Sequence, residues 1–297
     1  MAFLTEIKER IGATTDTRKI TQSLELVAAS KMKGFVRKAH GSRAYAVNLL
    51  RVMSLWRDAI STLPYADERE SGAHVFVLVT SDKGLCGNLN HRLIKFLFSH
   101  PEWALPNTEV GLVCIGRKGE EQARRRGLEP LLSFPAIGER LTPLDALSIV
   151  DKIIQLWETG VARKISVVSP HYVNPFTSHP TLKTFLPFSL EMIASHAEWN
   201  TISEFETNFF TPPLLEPDRE RVVRAFTLQL VQMLFAESFY ELKAAEYASR
   251  MVAMKKATDA AGDMISELTL EYNKVRQEHI TNQLAELATA AEAMEAW

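Results

Sequence analysis

The chain has 297 residues, 46% of them hydrophobic and 24% charged, with a formal net charge of −2. That is the composition of a globular protein with enough apolar material for a core. Two cysteines, Cys86 and Cys114, make no disulfide framework and lack metal-ligand spacing, so they read as small buried side chains in a reducing compartment. No stretch has the ~18 uninterrupted apolar residues of a membrane span. The start, "MAFLTEIKER", lacks a signal-peptide apolar region and is too acidic for a transit peptide, so the chain as given is expected to be cytoplasmic or already processed.

Helix breakers divide the chain. The first proline is Pro64, none follows Pro217, and eleven of the thirteen lie between Pro101 and Pro213. Both ends therefore read as long helices flanking a compact middle. Residues 1–60 carry eleven Lys/Arg against five Asp/Glu. That balance suits an anionic partner (nucleic acid, lipid or acidic protein) or simply a solvated helix face. Leu4, Ile7 and Ile11 form one apolar stripe, and Ile20, Leu24 and Val27 form another, offset from it. "AASK" (28–31) permits close helix approach, and Leu49, Val52, Trp56, Ile60 and Leu63 extend the apolar face toward the middle.

In the middle, "HVFVLVT" (74–80), "EVGLVCI" (109–115) and "KISVVSP" (164–170) read as strands. Helical stretches at 91–99, 117–126 and 142–159 alternate with them, which predicts parallel pairing through crossover helices. The Pro-rich stretch 170–217 reads as irregular or edge strand. Glu216 is expected to cap the last helix, with Pro217 at its first position and Asp218 in its first turn. From there to Trp297 is 80 residues, or ~120 Å at ~1.5 Å per residue. Met251, Met254, Thr258, Ala261, Ile265, Leu268, Tyr272 and Val275 mark a coiled-coil seam. It ends at polar His279 and Asn282, where a new stripe starts out of phase at Ile280, Leu284, Leu287, Ala291 and Met294. The N-terminal helix is the expected antiparallel partner.

"SDKGLCGNLN" (81–90) has the look of a phosphate cradle: Gly84 and Gly87 allow a tight turn, Lys83 brings charge, and Asn90 is placed to cap a helix near His91. It lacks both the P-loop and the dinucleotide fingerprints, and Lys83 precedes the turn where a P-loop lysine follows it. A structural strand-to-helix turn is the favoured reading, with Gly84, Cys86, Gly87 and Asn90 as its parts. No G-x-S-x-G or H-E-x-x-H is present. His171 and His179 have no acidic companion at ligand spacing, and Glu120–Glu121 beside Arg124–Arg126 reads as a solvated ion-paired helix. No catalytic, cofactor or metal site is expected, and no nucleic-acid motif accompanies the basic arm.

Three stretches carry a family resemblance. "TRKITQSLELVAASKM" (17–32), "SDKGLCGNLN" (81–90) and "EYASRMVAMKKATDAAGDMISELTLEYNKVRQEHIT" (246–281) resemble, in family order, segments of the gamma subunit of F-type ATP synthase. The region 100–215 matches only loosely, and Asn88 stands where glycine is usual. The resemblance implies an antiparallel coiled coil of terminal helices plus a small Rossmann-like α/β domain. The implied segments are an N-terminal shaft helix (1–63), a globular foot (64–216) and a C-terminal shaft helix (217–297). It implies a non-catalytic rotor of a proton- or sodium-driven synthase. Its partners would be the alpha and beta subunits, the epsilon subunit and the c-subunit ring, with no nucleic acid and no direct membrane insertion. It would sit peripherally on the cytoplasmic face of a bacterial inner membrane. A coiled-coil adaptor with an α/β head is the alternative.

Carried over position by position, the resemblance implies that Arg276, Gln277 and Thr281 meet the beta subunits, with Arg250 and Glu286 as further polar shaft positions. Gln283 replaces a glutamate. Leu24 would make sliding apolar contact, and Lys19, Lys31 and Lys33 would face acidic loops. Glu216 and Asp218 match the foot near the c ring or epsilon. The cysteine-bearing regulatory insert of plastid forms is absent.

Overall fold

The computed structural model describes residues 2–54, 65–66, 69–103, 109–138, 141–187 and 216–295. Trp56, Ile60 and Leu63, the stretch 188–215 and the end of the tail lie outside them, as does the side chain of Met294. Eleven elements follow in chain order: α1 (Ala2–Ser54), β1 (Ala73–Val79), α2 (Leu89–Phe98), a 3-10 turn (Pro101–Trp103), β2 (Val110–Ile115), α3 (Arg117–Arg125), β3 (Leu132–Phe134), α4 (Pro143–Glu158), β4 (Ala162–Asn174), β5 (Thr177–Leu186) and α5 (Arg219–Glu295). Contacts group them into two compact units, one of residues 1–28 with 251–297 and one of residues 29–250.

The larger unit is built on a five-stranded sheet in the order β3-β2-β1-β4-β5. β1 pairs in parallel with β2 (Val77 opposite Val113) and with β4 (Val77 opposite Val167). Being central and covered on both faces, β1 is apolar without a break from Val75 to Val79, as buried parallel strands are. β5 returns antiparallel at the edge, so the first part of the Pro-rich stretch is edge strand. Pro170 and Pro180 face each other beyond the last β1–β4 pair, at Leu78 and Val168, where a missing N–H costs no central ladder bond. β3 is three residues long, too short to show in the sequence pattern. Thr142 caps α4 in a reciprocal box with Asp145, and Pro143 takes the first turn.

Two end expectations change. Asp218, not Glu216, caps α5: its carboxylate accepts from the Arg221 amide at 2.8 Å, and the helix starts at Arg219. Carboxylate reach decides this, because only the residue beside the first helical position can bond the amide three residues on. Similarly, α2 begins at Leu89, so Asn90 lies inside it and caps nothing.

In the smaller unit the α5 seam is as expected: Met254, Thr258 and Ala261 are buried, and Met251, Ile265, Leu268, Tyr272 and Val275 are half-buried. Its α1 counterpart is not two offset stripes. Ile20 and Val27 are 61% and 51% exposed. One stripe runs through Leu4, Ile7, Ile11 and Thr14 at three- and four-residue steps, and on through Thr21 and Ala28 at steps of seven. Thr21 is 9% exposed and accepts from Thr258 at 2.7 Å. Two threonines satisfying each other fill a seam position that reads as polar in the sequence. Thr14 meets Met264, and Arg18 meets Gly262, so the helices run antiparallel.

Candidate functional site

The signature turn leaves the carboxyl end of β1, beside β4. Chain order reverses there, and open α/β sheets commonly bind ligands at such a point. Here the position is taken by the protein itself. Arg250 Nη2 of α5 donates to the Gly84 carbonyl at 3.0 Å, and the Ser249 carbonyl lies 4.0 Å from where a Gly87 Cβ would stand. Gly87 is left-handed at φ +59, which suits glycine. Asn90 reaches back instead of capping: its Oδ1 accepts from the Ser81 amide at 3.1 Å, and its Nδ2 donates to Ser81 Oγ at 2.8 Å and to Cys86 Sγ at 3.3 Å. Cys86 is buried. Asp82 holds the neighbouring loops, accepting from the amides of Arg117 (3.1 Å) and Ala136 (2.9 Å). The turn is a fastening between sheet and helix. Its one outward apolar group is Leu85, left-handed at φ +62 and exposed.

A second arrangement has the outline of a hydrolytic triad that the sequence did not reveal. His74 Nδ1 lies 2.6 Å from Glu102 Oε2, and its Nε2 lies 2.9 Å from Ser166 Oγ. Burial pushes the His74 imidazole below its ordinary value despite Glu102. Burial raises the Glu102 carboxyl, but the His74 bond and nearby cations outweigh it and hold it low. Both His74 and Ser166 are fully buried, in adjacent central strands. A nucleophile needs a reacting carbonyl within about 3 Å and donors beside it, and no substrate reaches this serine. It is a satisfied buried network.

The remaining predicted residues are scattered. Lys19 and Lys33 are exposed, the former paired with Asp16 at 3.0 Å. Leu24 and Lys31 are half-buried, with Lys31 5.6 Å over the Tyr247 ring. Arg250 is 9% exposed and spent on Gly84 and on Glu246 at 2.8 Å. Arg276, Gln277, Thr281, Gln283 and Glu286 are exposed along α5. Glu216 is exposed and Asp218 is engaged as the cap. His171 has no acid at ligand spacing along the chain, but meets one from a distant element: Glu241 Oε1 at 3.1 Å. The signal was available as two glutamates four residues apart in the apolar run "LFAESFYELKAA" (234–245). Between α2 and α3 runs a groove of about 310 Å³, lined by His91 and by the cations Lys95, Lys118, Arg125 and Arg126. Lys118 is paired there with Glu121 at 2.7 Å. No group of three or more His, Cys, Asp or Glu suited to a metal occurs among the described residues, and no described helix is long and apolar enough to cross a membrane.

A family model described as ATP synthase matches residues 3–294. The ATP synthase gamma chain of Legionella pneumophila (strain Corby) is 33% identical over 297 residues, covering 99% of this chain and all of that one. Among solved structures, the mitochondrial ATP synthase of Euglena gracilis in rotational state 3 (OSCP/F1/c-ring) contains a chain with TM-score 0.67 at 16% identity. It covers 99% of this chain and 95% of its own. A chain of the Tetrahymena thermophila mitochondrial ATP synthase central stalk and c ring has TM-score 0.55 at 22% identity, covering 80% and 99%.

Proposed function

The chain belongs to the ATP synthase gamma-chain family, and from that premise we propose that it acts as the rotor of the F-type complex, driven by contacts with alpha and beta subunits above and with epsilon and the c ring below. A gamma chain is a non-catalytic central-stalk subunit. In this reading residues 1–63 and 217–297 are the shaft and 64–216 the foot, and the whole lies peripherally on the cytoplasmic face of a bacterial membrane. The observation that carries it is the end of α5. Residues 280–291 are exposed without exception, including Ile280, Leu284 and Leu287, and no described residue covers them. An exposed helix with apolar groups in its stripe suits a surrounding partner cavity.

Rotation transmits work only if shaft contacts differ between rotational states. Arg276, Gln277, Thr281 and Glu286 are the candidates on the bare surface, with Lys19, Leu24 and Lys33 on α1. Arg250 contributes through the turn it holds, and Leu85 is a further contact candidate at that turn. Expression with the alpha and beta subunits should give a complex containing all three. A chain recovered only as a monomer, or only self-associated, would refute the reading. Replacing Arg276 and Gln277 together by alanine should weaken coupling while the isolated chain stays folded, and unchanged synthesis and hydrolysis rates would contradict that.

A further inference from the structure

On the reading above, torque enters through α1 and α5 and must reach the α/β sheet, and within the larger unit one junction between them is ionic and buried. Arg43 of α1 donates from Nε to Glu237 Oε1 at 3.0 Å and from Nη2 to Glu241 Oε1. His171 of β4 lies 3.1 Å from that same Glu241 oxygen, and Lys183 Nζ of β5 stands 3.8 Å from the other. Both glutamate side chains are 1% exposed, while Arg43, His171 and Lys183 stay partly open to solvent. One carboxylate of α5 is thus gripped from α1, β4 and β5 together. Burial raises the Glu241 carboxyl, but the His171 bond and the charges of Lys183, His171 and Arg43 win and keep it low and ionised.

Stability does not explain this cluster. Well-packed apolar side chains in place of a buried ion network are often neutral or stabilising. What ions add is direction. Apolar burial of Leu234, Phe235, Phe239 and Leu242 resists separation of helix and sheet, yet the hydrophobic effect is non-directional. Charge-assisted hydrogen bonds hold to narrow distances and angles, and so fix the rotation of the helix about its own axis. We propose that Glu241, with Glu237, Arg43, His171 and Lys183, is the torsional lock through which the helix pair turns the α/β domain. Glu241 is a positioning residue in this device.

The test uses the assembled complex in sealed vesicles, reading ions pumped per ATP hydrolysed beside the hydrolysis rate itself. Glu241→Gln should lower the pumping ratio severalfold while hydrolysis continues, and Glu241→Asp, which keeps the charge, should restore most of the ratio. A merely structural role would reduce the amount of complex and leave the ratio alone. Where Glu241→Gln does not assemble, the double variant Arg43→Gln with Lys183→Gln decides. These side chains are partly exposed, and the same severalfold loss is expected. A wild-type ratio in complexes carrying the variant chain at normal stoichiometry would overturn the lock. Failure of the unmodified chain to join alpha and beta subunits would instead refute the parent reading.

Discussion

Helix α5 is one continuous element with two regimes. From Leu234 to Ala248 nearly every residue is buried, charged ones included: Glu237, Glu241, Lys243 and Glu246 are as enclosed as Phe235 and Phe239. From Ile280 to Ala291 no residue is buried, leucines included. Composition does not separate the two stretches, since each mixes apolar with charged or polar residues. Surroundings do. In the first, sheet and α1 cover the helix, and each buried charge has an opposite one within reach. In the second, the described part of the chain supplies no cover. The same backbone thus serves as core at one end and as surface at the other, and only the first end should matter to the stability of the isolated chain.

That contrast can be broken at its strong end. Phe239→Ala empties a fully buried site among Phe235, Leu242 and the sheet, and should cost ~3–5 kcal/mol of unfolding free energy in denaturant titration. A cost comparable to that of a surface change would mean that the helix does not seat there.

Acid should act on the buried stretch and on the sheet interior. Glu241 and Glu102 sit below the ordinary carboxylate value of 4.5, so their contribution is present above it and lost as pH falls through their folded values. His74 sits below 6.5, so the unfolded chain takes its proton first and acid erodes stability from that point down. Thermal midpoints of the full chain should therefore begin to fall near pH 6.5 and fall faster below 4.5. His74→Gln should remove the upper part and leave the lower. A flat profile from neutral pH down to 4 would show that these buried groups are not held as described.

The smallest effect is expected at the bare end. Leu284→Ser with Leu287→Ser should shift unfolding of the isolated chain by no more than ~0.5 kcal/mol per site. It should nevertheless impair the assembled complex, read as loss of ATP-driven pumping. A large loss of chain stability would reveal a cover for this stretch within the chain itself.

Much of the fold was legible because periodicity and breakers report local facts. The strands at 74–80 and 109–115, the crossover helices and the α5 seam all followed from spacing of apolar residues. The α1 seam is hidden in the sequence because Thr14 and Thr21 count as polar, and only the partner threonine at 258 makes position 21 a core position. Ile20 and Val27 looked like core and face outward. The cap on α5 shifted by two residues, which is within what local pattern cannot resolve.

For the signature turn, sequence determined a tight strand-to-helix passage without a phosphate fingerprint. What stood over it, Arg250 and Ser249 from more than 160 positions away, was settled in space. The same holds for Glu241, whose partners Arg43, His171 and Lys183 come from three elements, and for His74 with Glu102 and Ser166. Hydrophobic period is written along the chain, because each residue carries its own affinity for water. Which charge answers which, and which helix end remains uncovered, depends on groups distant in sequence, and only folding brings those together.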